Sequence, residues 1–225
     1  MATFVLVHGA FAGGWYLRPL ASCLQAAGHE VYRPTLTGFG ERVHLASPAI
    51  DLATHIQDIA NVLYYEDLSD VVLVGMSYSG MVITGVAERM PERLRHLIYV
   101  EAAVPEDGQS FLDLRPSEFR AALEEAAKVH GDGWRIPIDP AINPRLTAAP
   151  LKAGQQALAV TNPTAAALPH TYIYTTDKHA GGGVYEACAR RARTLGWGYY
   201  ELPTGHEPEQ TMPQELAAVL SEAAG

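Results

Sequence analysis

Val71-Val72-Leu73-Val74-Gly75-Met76-Ser77-Tyr78-Ser79-Gly80 joins an unbroken apolar run to a turn of very small residues around one serine. An apolar run of β-branched residues this short suits a strand covered on both faces. The residues after the turn, 79–88, read as a helix. A strand that reverses into a helix so abruptly strains its backbone and brings neighbouring chains close. The positions two before and two after the central residue must therefore be tiny. Gly75 satisfies this; Ser79 stands where such turns usually have Gly and is small enough to fit. In this strand, turn and helix context the Ser77 hydroxyl is held up at the edge of a sheet. Taken alone, the stretch is also compatible with an ordinary Gly/Ser-rich strand-to-helix turn, so its meaning depends on residues elsewhere.

Outward from this stretch, short apolar segments alternate with longer amphipathic ones. Strands are predicted at 4–7, 31–33, 71–74, 97–100, 172–174 and 199–202, and helices at 16–27, 52–63, 79–88 and 213–223. Leu17, Leu20 and Leu24 share one helix face, as do Ile56, Ile59 and Leu63. Such alternation predicts an α/β fold, a mostly parallel six-stranded sheet with flanking helices. The rhythm breaks over 105–168, which is rich in Pro and Ala and holds helical patterns at 117–130 and 151–159. Following the fourth strand, this insertion is expected to form a small helical cap at the carboxyl edge of the sheet, where open α/β sheets bind ligands. Within it Trp134, Phe111 and Phe119 are candidates to line an apolar pocket, or simply to pack the cap onto the sheet.

The 225 residues suit one domain, 1–225, large enough to bury its own core. A formal charge of −9, with Arg190, Arg191 and Arg193 as the main basic cluster, argues against nucleic acid as a partner. No stretch approaches the roughly 20 apolar residues of a membrane span. Cys23 and Cys188 lie far apart with no metal or redox spacing around them. Since no secretory pattern opens the chain, a cytoplasmic protein is expected. Oligomeric state is not legible.

A second chemical group stands in Pro203-Thr204-Gly205-His206, after the last strand and before the last helix. That is where the base falls when a serine turn of this kind works with a histidine. The eight remaining histidines lack this combination of turn and topology and read as structural. A third piece is Val7-His8-Gly9-Ala10-Phe11 after the first strand, with Gly13-Gly14-Trp15 beyond it. A serine attacking a carbonyl develops an oxyanion that two fixed backbone N–H groups must hold. Ala10 and Tyr78 are placed to give them. Neither GxxxxGK nor GxGxxG is present, so a phosphate loop is discounted. His206 with Glu207 and Glu209 has poor metal spacing, and neither metal nor cofactor is expected. Glu41, Arg42 and His44 are expected to form a salt-bridged loop near the entrance.

Taken together, His8-Gly9-Ala10, the segment Thr37-Gly38-Phe39-Gly40-Glu41-Arg42 with His44-Leu45, the serine turn, Val104-Pro105-Glu106-Asp107-Gly108 and Thr204-Gly205-His206 carry a resemblance. Outside the insertion, the chain resembles the bacterial esterases of the α/β-hydrolase superfamily that are related to plant methylesterases and hydroxynitrile lyases. The resemblance implies an α/β-hydrolase sheet without the first two strands of the larger members, a small cap, Ser/acid/His catalysis and hydrolysis of small carboxylic esters. Family members place the acid just after the penultimate strand. There this chain reads Thr175-Thr176-Asp177-Lys178-His179-Ala180-Gly181, with Asp177 early and His179 near the family position. Glu101, after the fourth strand, is the preferred alternative, because it follows the strand beside the serine. The loop of Asp177, by contrast, carries three glycines, Gly181 to Gly183. The expected reaction is attack by Ser77 on a small-molecule ester, with His206 as base, Glu101 orienting it and an acyl-enzyme intermediate. Related lyases carry Lys directly after the catalytic histidine; this chain has Glu207, which would repel an anionic leaving group. The alternatives are a small-ligand receptor on the same fold and a lyase-like member.

Overall fold

The computed structural model describes residues 1–177 and 183–225. Six strands form one sheet: β1 (Thr3–Val7), β2 (Glu30–Tyr32), β3 (Val71–Met76), β4 (Leu94–Val100), β7 (His170–Thr175) and β8 (Gly198–Leu202). Between β4 and β7 the two-residue strands β5 (Arg135–Ile136) and β6 (Ala149–Pro150) pair as a separate antiparallel ribbon. The large sheet has the order β2-β1-β3-β4-β7-β8, and every neighbouring pair is parallel. Chain direction reverses beside β1: β2 lies on one side of it and β3 on the other. That switch opens a crevice at the carboxyl ends of β1 and β3, the place where doubly wound sheets take ligands.

The continuous apolar character of β3 follows from cover on both faces. Val71 and Leu73 pack into one core with helices α2 (Leu52–Tyr65), α3 (Ser79–Arg89) and α7 (Gly183–Thr194). Val72, Val74 and Met76 enter the opposite core with α1 (Arg18–Ala26) and α9 (Pro213–Ala224). Successive residues alternate between the two cores, as the strand period of two requires.

The predicted helix at 16–27 is split into a single 3-10 turn, Gly14–Leu17, and α1; Pro19, which has no N–H to donate, sits at its start. The helical pattern at 117–130 is α4 (Ser117–His130). At 151–159 the helix α5 (Leu151–Gln155) stops short. Its successor Gln156 is extended and caps Ala53 N–H through Oε1 at 2.8 Å, and Leu158 then forms a bridge with Gln109. Tertiary hydrogen bonding there overrides the local pattern. The short helices α6 (Pro163–Ala166) and α8 (Pro208–Thr211) complete the order. Among the described residues, no helix is long and apolar enough to cross a membrane.

Candidate active site

The turn after β3 puts Ser77 at φ +55°, a left-handed conformation rare for residues with a side chain. Such strain costs on the order of 1–3 kcal/mol and persists only where the surroundings fix it. Here they do. Ser77 N–H donates to Val100 O at 3.3 Å, and Ser77 O accepts from Ala103 N–H at 2.9 Å. A Cβ on Gly75 would meet Ser79 O at 2.8 Å, and one on Gly80 would meet Ala103 O at 2.0 Å. The glycine at 80 is therefore what lets α3 press against the chain leaving β4. Ser79, fully buried, is more than tolerated: its Oγ accepts from Met76 N–H at 2.8 Å and lies 2.7 Å from Val7 O. The hydroxyl staples the turn to the end of β1.

Across from the turn, the loop after β1 approaches closely. A Cβ on Gly9 would lie 3.2 Å from Ser77 Cβ. His8, with no solvent exposure, organises this loop: its Nε2 accepts from Leu36 N–H at 3.1 Å, so Nδ1 carries the proton and donates to Gly9 O at 2.7 Å. Burial drives its pKa down to about 4 and keeps the ring neutral. Holding Gly9 O sets the direction of the Ala10 N–H at the opposite edge of the same planar peptide. Tyr78 is fixed from its side chain: Tyr78 Oη donates to His55 Nδ1 at 2.9 Å, while His55 Nε2 donates to Thr37 O at 3.1 Å. Ala10 and Tyr78 both line the cavity that holds Ser77.

His206 arrives on the loop between β8 and α8. Thr204 Oγ1 and Thr211 Oγ1 are 2.6 Å apart, and Thr211 Oγ1 donates to Glu207 O at 3.0 Å. Asp177 N–H donates to Thr204 O at 3.1 Å, tying this loop to the one after β7. The result is that His206 Nε2 lies 3.0 Å from Ser77 Oγ. Residues 129 apart in sequence are thus brought to hydrogen-bond distance, the geometry needed for proton transfer.

Glu101 directly follows β4 at φ +43° and is 1% exposed; its Oε2 accepts from Thr175 N–H at 3.0 Å. Asp177 is exposed and lines a separate depression with Arg190 and Arg193. His179, Gly181 and Gly182 lie outside the described residues. The loop of Glu41, Arg42 and His44 is salt-bridged, but through Arg42 to Asp58 at 3.2 Å, and Asp58 also accepts from Thr37 N–H.

The cavity over Ser77 has a volume of about 390 Å³, with apolar walls supplied mostly by 105–168, including Phe111, Phe119, Leu123, Ile136 and Ile142. Trp134 is not among its lining residues; it packs with Arg135 instead. Three polar residues on these walls have no role in the sequence reading. Arg115 comes from the stretch before α4 and Tyr185 from α7, a helix that the sequence periodicity did not single out. Glu209, read only as an unsuitable metal ligand, is 5% exposed and lines the cavity.

Burial pushes the Glu209 pKa up from 4.5 to about 8, and the nearby Glu207 charge adds in the same direction. Between about 4.5 and about 8 the unfolded chain releases this proton while the folded one keeps it. Folding stability therefore falls by about 1.4 kcal/mol per pH unit across that window and levels off above it. Glu209→Gln is expected to melt above the parent by a margin that widens from pH 4.5 to pH 8, as thermal denaturation at several pH values will show. A margin independent of pH would contradict the buried neutral carboxyl. His8 acts on the acid side, its contribution being lost as pH falls from 6.5 towards about 4.

Comparison with known proteins agrees with this architecture. The model of the alpha/beta hydrolase family matches residues 4–219. A carbendazim hydrolyzing esterase from Nocardioides sp. (strain SG-4G) is 37% identical, over 98% of this chain and 99% of its own. Methylesterase 1 of Arabidopsis thaliana is 30% identical over 48% of this chain and 41% of its own. In structure, an extracellular alpha/beta-hydrolase from a Paenibacillus species superposes with a TM-score of 0.87 at 23% identity, covering 99% of each chain. With the family model spanning the whole sheet and an esterase aligned from end to end, this chain belongs to the alpha/beta hydrolase family and is a hydrolase of the carboxylesterase type.

Proposed function

We propose that Ser77 is the nucleophile and His206 the general base of an enzyme that cleaves small-molecule esters through an acyl-enzyme. The observation that carries this reading is the 3.0 Å approach of Ser77 Oγ to His206 Nε2 on the floor of the apolar cavity. Ser77 donates its proton to Nε2 as Oγ attacks the ester carbonyl. The backbone N–H groups of Ala10 and Tyr78 hold the oxyanion, and His206 then protonates the departing alcohol. Water, deprotonated by the same imidazole, releases the acid. Glu101 is the carboxylate that fixes the His206 ring. Its burial, and its position directly after β4, the strand next to β3, support it over the exposed Asp177. So does its electrostatic reach to Tyr185, whose ring stacks on His206 at 4.8 Å.

Residues 105–168 act as the cap, because they roof the cavity with aromatic and branched side chains. A cavity of about 390 Å³ with Phe111 and Phe119 in its wall suits esters of modest size with an aromatic or branched group on the acyl or alcohol side. The thiols of Cys23 and Cys188 are unpaired, which suits the cytoplasm. A panel of short aliphatic, branched and aromatic esters tests the substrate class. Turnover is expected to rise with an aromatic group and to fall once the ester exceeds the cavity. Stoichiometric binding of every ester without turnover would instead favour a receptor.

A further inference from the structure

Ser77 Oγ has a neighbour at bonding distance besides His206. Tyr185 Oη lies 2.9 Å from it, and Arg115 Nη2 donates to that same phenol oxygen at 2.6 Å. Tyr185 is 3% exposed, its ring stacks on His206 at 4.8 Å and 28°, and the Arg115 guanidinium lies 4.8 Å from the ring centroid. The direction of each hydrogen bond follows from chemistry. Arg115 can only donate, so Tyr185 Oη accepts from it. When Ser77 donates to an unprotonated His206 Nε2, its oxygen is left to accept, and the Tyr185 proton points at Oγ. Burial raises the Tyr185 pKa even with the opposing effect of Arg115, so the phenol keeps this proton.

We infer that Tyr185, held in place by Arg115, is a catalytic residue that donates a hydrogen bond to Ser77 Oγ and speeds hydrolysis of the acyl-enzyme; the inference rests on Ser77 being the nucleophile. In the acyl-enzyme Oγ is an ester oxygen. A hydrogen bond to it draws electrons from the acyl carbon and favours attack by water, whose proton passes to His206. The tetrahedral intermediate then collapses: the C–Oγ bond breaks, its electron pair returns to Oγ, and Oγ takes the proton from His206. Tyr185 keeps its own proton throughout and stabilises the charge that develops on Oγ. In acylation the same bond has opposing effects, because it withdraws density from the oxygen that must attack. Its loss is therefore felt mainly in deacylation. Arg115 is a positioning residue: it touches the phenol and acts through it.

Tyr185→Phe removes the donor and keeps the ring that stacks on His206. With 4-nitrophenyl acetate in a stopped-flow instrument, this variant is expected to release a burst of nitrophenolate approaching one per enzyme. The steady rate that follows should be about 10- to 100-fold below the parent, the range expected for one hydrogen bond to a charged oxygen. Intact-mass and peptide analysis should find the acetyl group accumulating on Ser77. Arg115→Met is expected to shift the balance the same way by less, and to add nothing to Tyr185→Phe in the double variant, whereas a packing role would add its own effect. Acylation and deacylation slowed in proportion, or an unchanged acetyl lifetime, would overturn the assignment even with Ser77→Ala inactive. Parent-like turnover by Ser77→Ala would instead overturn the nucleophile on which it rests.

Discussion

Ser77→Ala is expected to lower kcat on every ester the parent cleaves by about 10⁵- to 10⁶-fold, the scale seen when a serine hydrolase loses its nucleophile, while its melting temperature stays close to the parent's. The expected chemical loss is large because, in the proposed mechanism, it is Ser77 Oγ that forms the acyl bond. His206 Nε2 lies 3.0 Å from Ser77 Oγ, whereas Ser79 Oγ is engaged at the end of β1 with no exposure. The structural effect is small because, among the described residues, the Ser77 side chain bonds to His206 and Tyr185 within the site, and the turn itself is held by backbone hydrogen bonds and by Gly75 and Gly80. The comparison requires kcat and KM for both proteins and a thermal melt. Unchanged kcat would remove the serine mechanism altogether.

Glu101→Gln should follow at about 10⁴-fold in kcat: if Glu101 is the acid of the proposed mechanism, an amide in its place admits the wrong tautomer of His206 while keeping the shape. The amide oxygen can still accept from Thr175 N–H, so the backbone where β4 and β7 meet is retained and the loss reports chemistry rather than unfolding. Asp177→Asn is expected to change kcat by less than about threefold, since this residue is exposed and lines a depression separate from the cavity over Ser77. The two variants assayed on one ester separate the possibilities. A severe loss in Asp177→Asn beside a mild one in Glu101→Gln would move the acid to the loop after β7 and leave Ser77 and His206 in place.

Much of the scaffold was legible because it rests on local rules. β3 reads as a buried strand because every residue is apolar, and both of its faces are indeed covered. α4 has the predicted limits, 117–130, because local signals bound it: Pro116 precedes its first turn and Gly131 follows its last. Where long-range contacts decide, the sequence is silent. Ser79 looks like a departure from a glycine, and only the folded chain shows its hydroxyl joining the turn to Val7. α7 begins on the last of three consecutive glycines and presents small buried residues, Cys188, Ala189 and Ala192, which carry a weak apolar period. Tyr185 was missed with it. Arg115 sits in the irregular stretch before α4, and its meeting with Tyr185, 70 residues away, is a tertiary event with no local signal. His8 was read as structural, and its signal was available: His beside Gly-Ala after β1 is placed to hold the peptide whose N–H is needed for the oxyanion.

The central claim, that Ser77 is the activated nucleophile, is tested most directly by covalent labelling. A fluorophosphonate reacts with a hydroxyl only where a base takes its proton and an oxyanion site receives the phosphoryl oxygen, so it reports the assembled site rather than exposure. Intact mass should show one adduct per chain, and peptide sequencing should place it on Ser77, with His206→Ala preventing the reaction. A label on Ser79, or elsewhere with Ser77 unmodified, would contradict the account.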